Sequence, residues 1–230
     1  MLPWLDPDDD LDPFPPINLA LKDPDGLLAA GGSLRPERLL EAYRSGIFPW
    51  FDEQQPILWW SPDPRLTLKP SALHISRSLA KFINKQSYHC TIDQAFDRVI
   101  AACSAPREQQ DGSWITDSMI EAYQQLFELG YAHSVEVWLG EELIGGLYGV
   151  SIGQVFFGES MFSRQSNASK VGFTFLCQHL AEWGCQVVDC QVHSDHLESL
   201  GAAAITRDSF IQLLEQYCPR QLSRTAWQVE

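Results

Sequence analysis

The stretch Val187-Val188-Asp189-Cys190-Gln191-Val192-His193 places a carboxylate, an amide and an imidazole at alternate positions. Read as a strand, it presents Asp189, Gln191 and His193 on one face and Val188, Cys190 and Val192 on the other. A carboxylate and an amide two residues apart then reach the same substrate group; the alternative is a half-exposed strand with ordinary polar residues. Glu159 stands beside Gly158, directly after the apolar run Val155-Phe156-Phe157. A carboxylate at such a strand end suits a substrate amine in a partly apolar pocket, or else pairs with Arg164. Arg77, Lys81 and Lys85 recur every four residues and line one stripe of a helix, the pattern that contacts a phosphate backbone or simply faces solvent. Trp50, Trp59, Trp60 and Trp114 occur in segments read as loops, where an indole either stacks on a nucleotide base or fills the core.

Several chemistries are disfavoured by what is missing. Cys190, His193, Asp195 and His196 have spacing that could ligate zinc, but there is no second ligand pair, so no metal is expected. No G-x-x-x-x-G-K-[ST], G-x-G-x-x-G or G-x-S-x-G string is present. The R/Q-x-x-G-x-G/A loop that holds the coenzyme A pyrophosphate is also missing, which argues for an acyl donor other than acyl-CoA.

The elements that must position these residues can be read from periodicity. Residues 1 to about 65 are dense in proline and aromatics, so short strands and ordered loops are expected there. One helix runs from Pro36 to about Ser45, with Ser33 or Arg35 near its cap and Gly46 as its stop. Apolar residues at helical spacing predict helices over Ser76–Gln86 and Ile92–Ala102, and a third over Thr116–Leu129 closed by Gly130. Strands Ser134–Leu139, Leu143–Ile152 and Gln154–Phe157 form a meander. A long helix from Asn167 to about Trp183, strand Val187–His193, a helical turn near Leu197 and a helix over Asp208–Tyr217 complete the chain. The order indicates an α+β fold with a GNAT-like C-terminal domain, a mixed and largely antiparallel sheet with flanking helices. A small α+β N-terminal domain precedes it, dividing the chain into 1–65 and 66–230.

The 230 residues, 45% hydrophobic and 11% aromatic, are enough for a sizeable core. The acidic, proline-rich N-terminus lacks the basic and apolar regions of a signal peptide, and no apolar run is long enough to span a bilayer. Six irregularly spaced cysteines read as reduced thiols of a cytoplasmic protein. A net charge of −14 repels nucleic acid at long range, so an RNA partner needs a local basic patch or binds chiefly through its end.

Taken together, Phe14–Pro16, Gly26–Leu34, AYRSGIFPWF, PILWWSPDPR, Leu73–Leu79, Trp114–Thr116, Ala132–Trp138, Ile144–Val150, FFGESMFSR, Asn167–Lys170, VDCQV and Ser199–Ala202 cover nearly the whole chain in order. These strings resemble the leucyl/phenylalanyl-tRNA–protein transferases. The resemblance implies a monomer without metal or diffusible cofactor. It would move Leu, with Phe and Met as further candidates, from aminoacyl-tRNA to N-terminal Lys or Arg of acceptor proteins, marking them for N-degron proteolysis. It further implies Asp189 and Gln191 as catalytic residues and Glu159 as the holder of the donor's α-amino group. Leu147, Phe156, Phe173, Leu176 and Val188 would surround the donor side chain, with Ser163 also in the substrate-binding set. Trp50 and Trp114 would bracket the terminal adenosine, and Arg77, Lys81 and Lys85 would touch the acceptor stem. The residues also allow two rival readings: a GNAT-like enzyme with another activated acyl donor, and a non-catalytic binder of charged tRNA or N-terminal peptides.

Overall fold

A computed structural model describes residues 1–9, 12–85, 88–105 and 115–228, with the side chain of Lys85 outside the description. The N-terminal part builds a four-stranded sheet from β1 (Trp4–Leu5), β2 (Leu27–Gly31), β3 (Phe48–Pro49) and β4 (Leu58–Trp60), in the order β1-β2-β4-β3. Helix α1 (Pro36–Arg44) lies between β2 and β3 in sequence. Proline at its first position supplies a preset φ and needs no N–H donor there. At its other end, Gly46 takes φ +73°, where an added Cβ would run into Ile211.

The remainder forms a seven-stranded sheet. Its elements are β5 (Arg65–Leu68), α2 (Arg77–Lys85), β6 (Tyr88–Ile92), α3 (Phe96–Ser104), α4 (Asp117–Glu128), β7 (Ala132–Leu139), β8 (Glu142–Ile152), β9 (Val155–Ser163), α5 (Ala168–Glu182), β10 (Val187–Gln191), α6 (Asp195–Glu198), β11 (Ala203–Ile205) and α7 (Arg207–Tyr217). The strand order is β11-β5-β10-β9-β8-β7-β6. Its pairs are antiparallel except β9–β10, whose parallel pairing is made possible by the intervening α5 crossover. This is the mixed, largely antiparallel α+β sheet expected from the sequence.

Two findings differ from the periodicity. Helix α3 starts at Phe96, and the segment before it is strand β6, in which Thr91 pairs with Glu136 and Ile92 with Val135. Asp93, at φ +57°, turns the chain between the two and accepts the Ser134 N–H, which separates what the apolar spacing had merged. Strand β9 also runs on to Ser163, six residues past the end read from the sequence. By contrast, α4 starts after Thr116, whose hydroxyl caps the Met119 N–H, and Gly130 follows its end at φ +76°.

One face of the large sheet packs beneath α5, where Leu147, Phe156, Phe173, Leu176 and Val188 belong to one apolar cluster. A larger cluster joins Phe157 and Tyr148 to Tyr43 of α1, Tyr123 of α4, Phe210 of α7 and the buried Trp59 of the small sheet. The two sheets therefore share a core. Among the described residues no helix is long and apolar enough to cross a membrane.

Candidate active site

Three backbone irregularities bring the polar residues together. In the β8–β9 ladder the register shifts between Tyr148/Ser160 and Gly149/Gly158, so Glu159 is the extra residue of a β-bulge. In the β10–β5 ladder the register shifts between Asp189 and Gln191, and Gln191 takes φ +62°. Finally, β9 pairs with β10 only as far as Phe157 and Asp189, so the sheet splits beyond that point. Gln191 spans the split, its Nε2 donating to Glu159 Oε1 at 2.8 Å.

Each polar group here is held by others. Asp189 is fully buried and takes Arg65 in a bidentate pair, Nε to Oδ1 at 2.8 Å and Nη2 to Oδ2 at 2.7 Å. Its Oδ1 also accepts the backbone N–H of Gln191 at 2.9 Å, which holds the left-handed turn in place. Arg65 is sandwiched between the rings of Phe48 and Phe210, each centroid 4.7 Å from its guanidinium carbon, and donates to the Gly46 carbonyl. Glu159 accepts from the Tyr43 hydroxyl on Oε1 and the Tyr123 hydroxyl on Oε2, both at 2.7 Å. Burial pushes the Glu159 carboxyl up to about 7, the Asp189 charge adds to this, and the hydrogen bonds from Tyr43, Tyr123 and Gln191 oppose it. Burial, followed by the Glu159 charge, raises both tyrosines well above the usual phenol range.

Glu159 and Gln191 open onto a cavity of about 140 Å³ whose other walls are Phe48, Pro49, Trp50 and Val192. The cavity thus lies between the small sheet and the split in the large one. Trp50 is 42% exposed, and its ring packs against Trp60 at 5.6 Å between centroids. An exposed indole beside a carboxylate and an amide can take a flat base and an amine together.

The sequence-derived residues fall into distinct places. Asp189, Gln191, Glu159 and Trp50 converge. Leu147, Phe156, Phe173, Leu176 and Val188 form the buried layer under α5, behind the split. Ser163 lies at the far end of β9, where its hydroxyl accepts the Ser169 N–H at the start of α5. Arg77 and Lys81 are exposed on α2, while Trp114 and the Lys85 side chain lie outside the described residues. Arg164 turns away from Glu159, donating to the Leu143 carbonyl and packing over Phe162. His193 points to solvent between Asp195 and Glu198, apart from Cys190. Trp59 is core, its indole N–H bonded to the Gly31 carbonyl.

Sequence reasoning missed Arg65, Tyr43 and Tyr123. Arg65 ends the PILWWSPDPR string and Tyr43 stands in AYRSGIFPWF, so both were in view without a partner. Tyr123, on an ordinary amphipathic helix, gave no signal.

The amino-acid sequence is similar to those of known proteins. A family model described as leucyl/phenylalanyl-tRNA protein transferase matches residues 67–215, and one described as the N-terminal domain of that transferase matches residues 32–63. The chain is 59% identical over 217 residues to the leucyl/phenylalanyl-tRNA--protein transferase of Ectopseudomonas mendocina (strain ymp), covering 94% of this chain and 95% of that one. It is 60% identical over 204 residues to the protein of the same name from Pseudomonas fluorescens (strain Pf0-1), covering 89% and 90%. Among solved structures, a GCN5-related N-acetyltransferase from Kribbella flavida aligns at a TM-score of 0.37 and 10% identity, covering 73% of this chain and 60% of that one.

Proposed function

The chain belongs to the leucyl/phenylalanyl-tRNA–protein transferase family, and on that premise we propose that it is an aminoacyltransferase moving an amino acid from aminoacyl-tRNA to a protein N-terminus. The donor is Leu-tRNA, with Phe- and Met-tRNA as further donors. The acceptor begins with Lys or Arg, and the product is an N-degron substrate for proteolysis. The enzyme works as a monomer in the cytoplasm, where cysteines that form no disulfide stay reduced. The small sheet, up to about residue 65, serves as one domain and the large sheet as the other.

The reaction is aminolysis of an ester. The acceptor's α-amine attacks the aminoacyl carbonyl, a C–N bond forms, the C–O bond to the ribose breaks, and the amine proton ends on the departing ribose oxygen. The ester already stores the energy, so the protein's task is positioning and charge stabilisation. The amine must be neutral, a modest demand for a group that titrates at about 7.7–8.0. With its Nε2 bonded to Glu159, the Gln191 amide keeps its oxygen to accept from the attacking amine. Asp189 is a positioning residue: neutralised by Arg65, it holds the Gln191 backbone. Glu159 receives the donor's α-amino group, and Trp50, with Trp114, brackets the terminal adenosine. The donor side chain passes through the split between β9 and β10 toward Leu147, Phe156, Phe173, Leu176 and Val188. An apolar pocket of this kind separates close isosteres by only about 1–3 kcal/mol, which accommodates more than one donor.

The observation that carries this reading is the Gln191–Glu159 bridge across the split sheet, facing a cavity that Trp50 also walls. The test is transfer of labelled leucine from Leu-tRNA to a protein beginning with Arg, beside the same protein beginning with Met. Label on the Arg protein alone is expected. No label on either, with the charged tRNA intact, would leave a binding module as the better account.

A further inference from the structure

A second cavity, of about 370 Å³, lies away from Glu159 and Gln191, between α2, β6 and α5. Ile83 of α2, Tyr88 of β6 and Phe175 of α5 give it apolar walls on three sides. Thr174 lines it with a side chain that is 3% exposed, and its hydroxyl has no hydrogen-bond partner among the described residues. A threonine inside a helix ordinarily donates to the carbonyl one turn back, and a buried hydroxyl left unpaired is costly. Thr174 therefore leaves an unpaired hydroxyl sealed in the wall of the cavity, beneath the surface that an occupant touches. Asn84 and Gln178 add amide groups at the exposed rim.

We propose that this cavity binds an unstacked nucleobase whose phosphate rests on Arg77 and Lys81, a second nucleotide of the donor tRNA besides its terminal adenosine. The inference rests on the tRNA reading above. Size, chemistry and charge agree on it. A cavity of about 150 Å³ accommodates a benzene ring, so this one holds roughly fifteen non-hydrogen atoms, enough for a purine of about ten. Aromatic and aliphatic walls suit the faces of a base, while the rim carboxamides of Asn84 and Gln178 pair with its edges. Around α2, Arg77 and Lys81 stand about 20° and 60° from Asn84, so the exposed basic stripe runs along the same rim. A protein carrying −14 charges also gains from an anchor that does not depend on charge.

The same base chemistry is offered by free nucleotides, and the experiment separates the sources. Burial pushes the Cys90 thiol in this cavity up to about 12, too high for ready alkylation, so amide hydrogen exchange in the α2 and β6 peptides that wall the cavity reports occupancy in the intact protein. Uncharged tRNA is expected to slow it about tenfold. Ala80→Phe, which fills the cavity, and Gln178→Met, which keeps its shape but removes a rim carboxamide, are both expected to raise KM for Leu-tRNA about tenfold. Transfer from leucyl-adenosine, too small to reach both sites, stays within twofold of wild type. Protection by adenosine 5′-monophosphate but not by tRNA, with KM for Leu-tRNA unchanged, supports the base site and assigns it to a free nucleotide. Protection by neither, with both variants transferring normally, overturns the inference while the transferase reading stands. Protection by tRNA in a wild-type protein that transfers from neither donor upholds the site and overturns the transferase reading.

Discussion

Both oxygens of the Asp189 carboxylate are taken up by Arg65, and Oδ1 also receives the Gln191 N–H. Removing the charge from one member of a buried pair leaves the other uncompensated, at about 3–5 kcal/mol. Asp189→Asn is expected to lower unfolding stability by that amount in urea titrations, and to lower kcat with little change in KM for Leu-tRNA. Retention of wild-type stability would remove the positioning role. Glu159 is held by burial near 7, above its ordinary value of 4.5. A carboxyl whose folded pKa is raised binds its proton more tightly in the folded state. Wild type therefore loses stability relative to Glu159→Gln as the pH climbs from about 4.5 through 7, by roughly 3 kcal/mol at most. The proposed role of Glu159 makes activity move the other way, because only a charged carboxylate would attract the donor's ammonium. A pH–rate profile of wild type is expected to rise with an inflection near 7, which Glu159→Gln lacks at a rate roughly tenfold to a hundredfold lower.

At the level of elements, the site depends on how two ladders fail. The β-bulge in β9 directs Glu159 to the tyrosines of α1 and α4, and it sits opposite Gly149 of β8. A Cβ at Gly149 would collide with the Phe157 carbonyl oxygen and the ring of Phe156, a backbone atom and a packed side chain with no room to move. Gly149→Ala is therefore expected to destabilise the fold by about 1–3 kcal/mol. It should also lower kcat/KM by more than that loss of folded protein explains, as the bulge shifts. Equilibrium unfolding and transfer rates on the same preparation check this, and an unaltered protein would mean the bulge does not depend on that glycine.

Over the whole molecule, the charge of −14 sets the terms on which RNA is met. Attraction must be local, and the proposed reading gives that part to Arg77 and Lys81, which are exposed on α2. Paired substitution of Arg77 and Lys81 by Ala is expected to raise KM for Leu-tRNA. It should also flatten the plot of log KM against log salt by about one for each phosphate no longer neutralised. An unchanged slope would move the acceptor stem to another surface.

The sequence by itself determined the elements whose signals are local. Thr116 and Gly130 delimit α4, Gly184 stops α5, and the meander shows in its turns at Gly140 and Gly153. It also put Asp189, Gln191 and Glu159 in view, because strings such as VDCQV and GESMFSR are distinctive along the chain. Tertiary structure decided whatever depended on distant segments. Strand β6 exists because Thr91 and Ile92 meet β7 more than forty residues later, which no window of apolar spacing contains. Strict alternation would have put Asp189, Gln191 and His193 side by side. A register shift and a positive φ instead give Asp189 to Arg65, Gln191 to Glu159 and His193 to solvent. Tyr43 and Tyr123 reach one carboxylate from helices 80 residues apart. Burial there sets the proton affinity of Glu159, and burial belongs to the folded chain rather than to any residue in it.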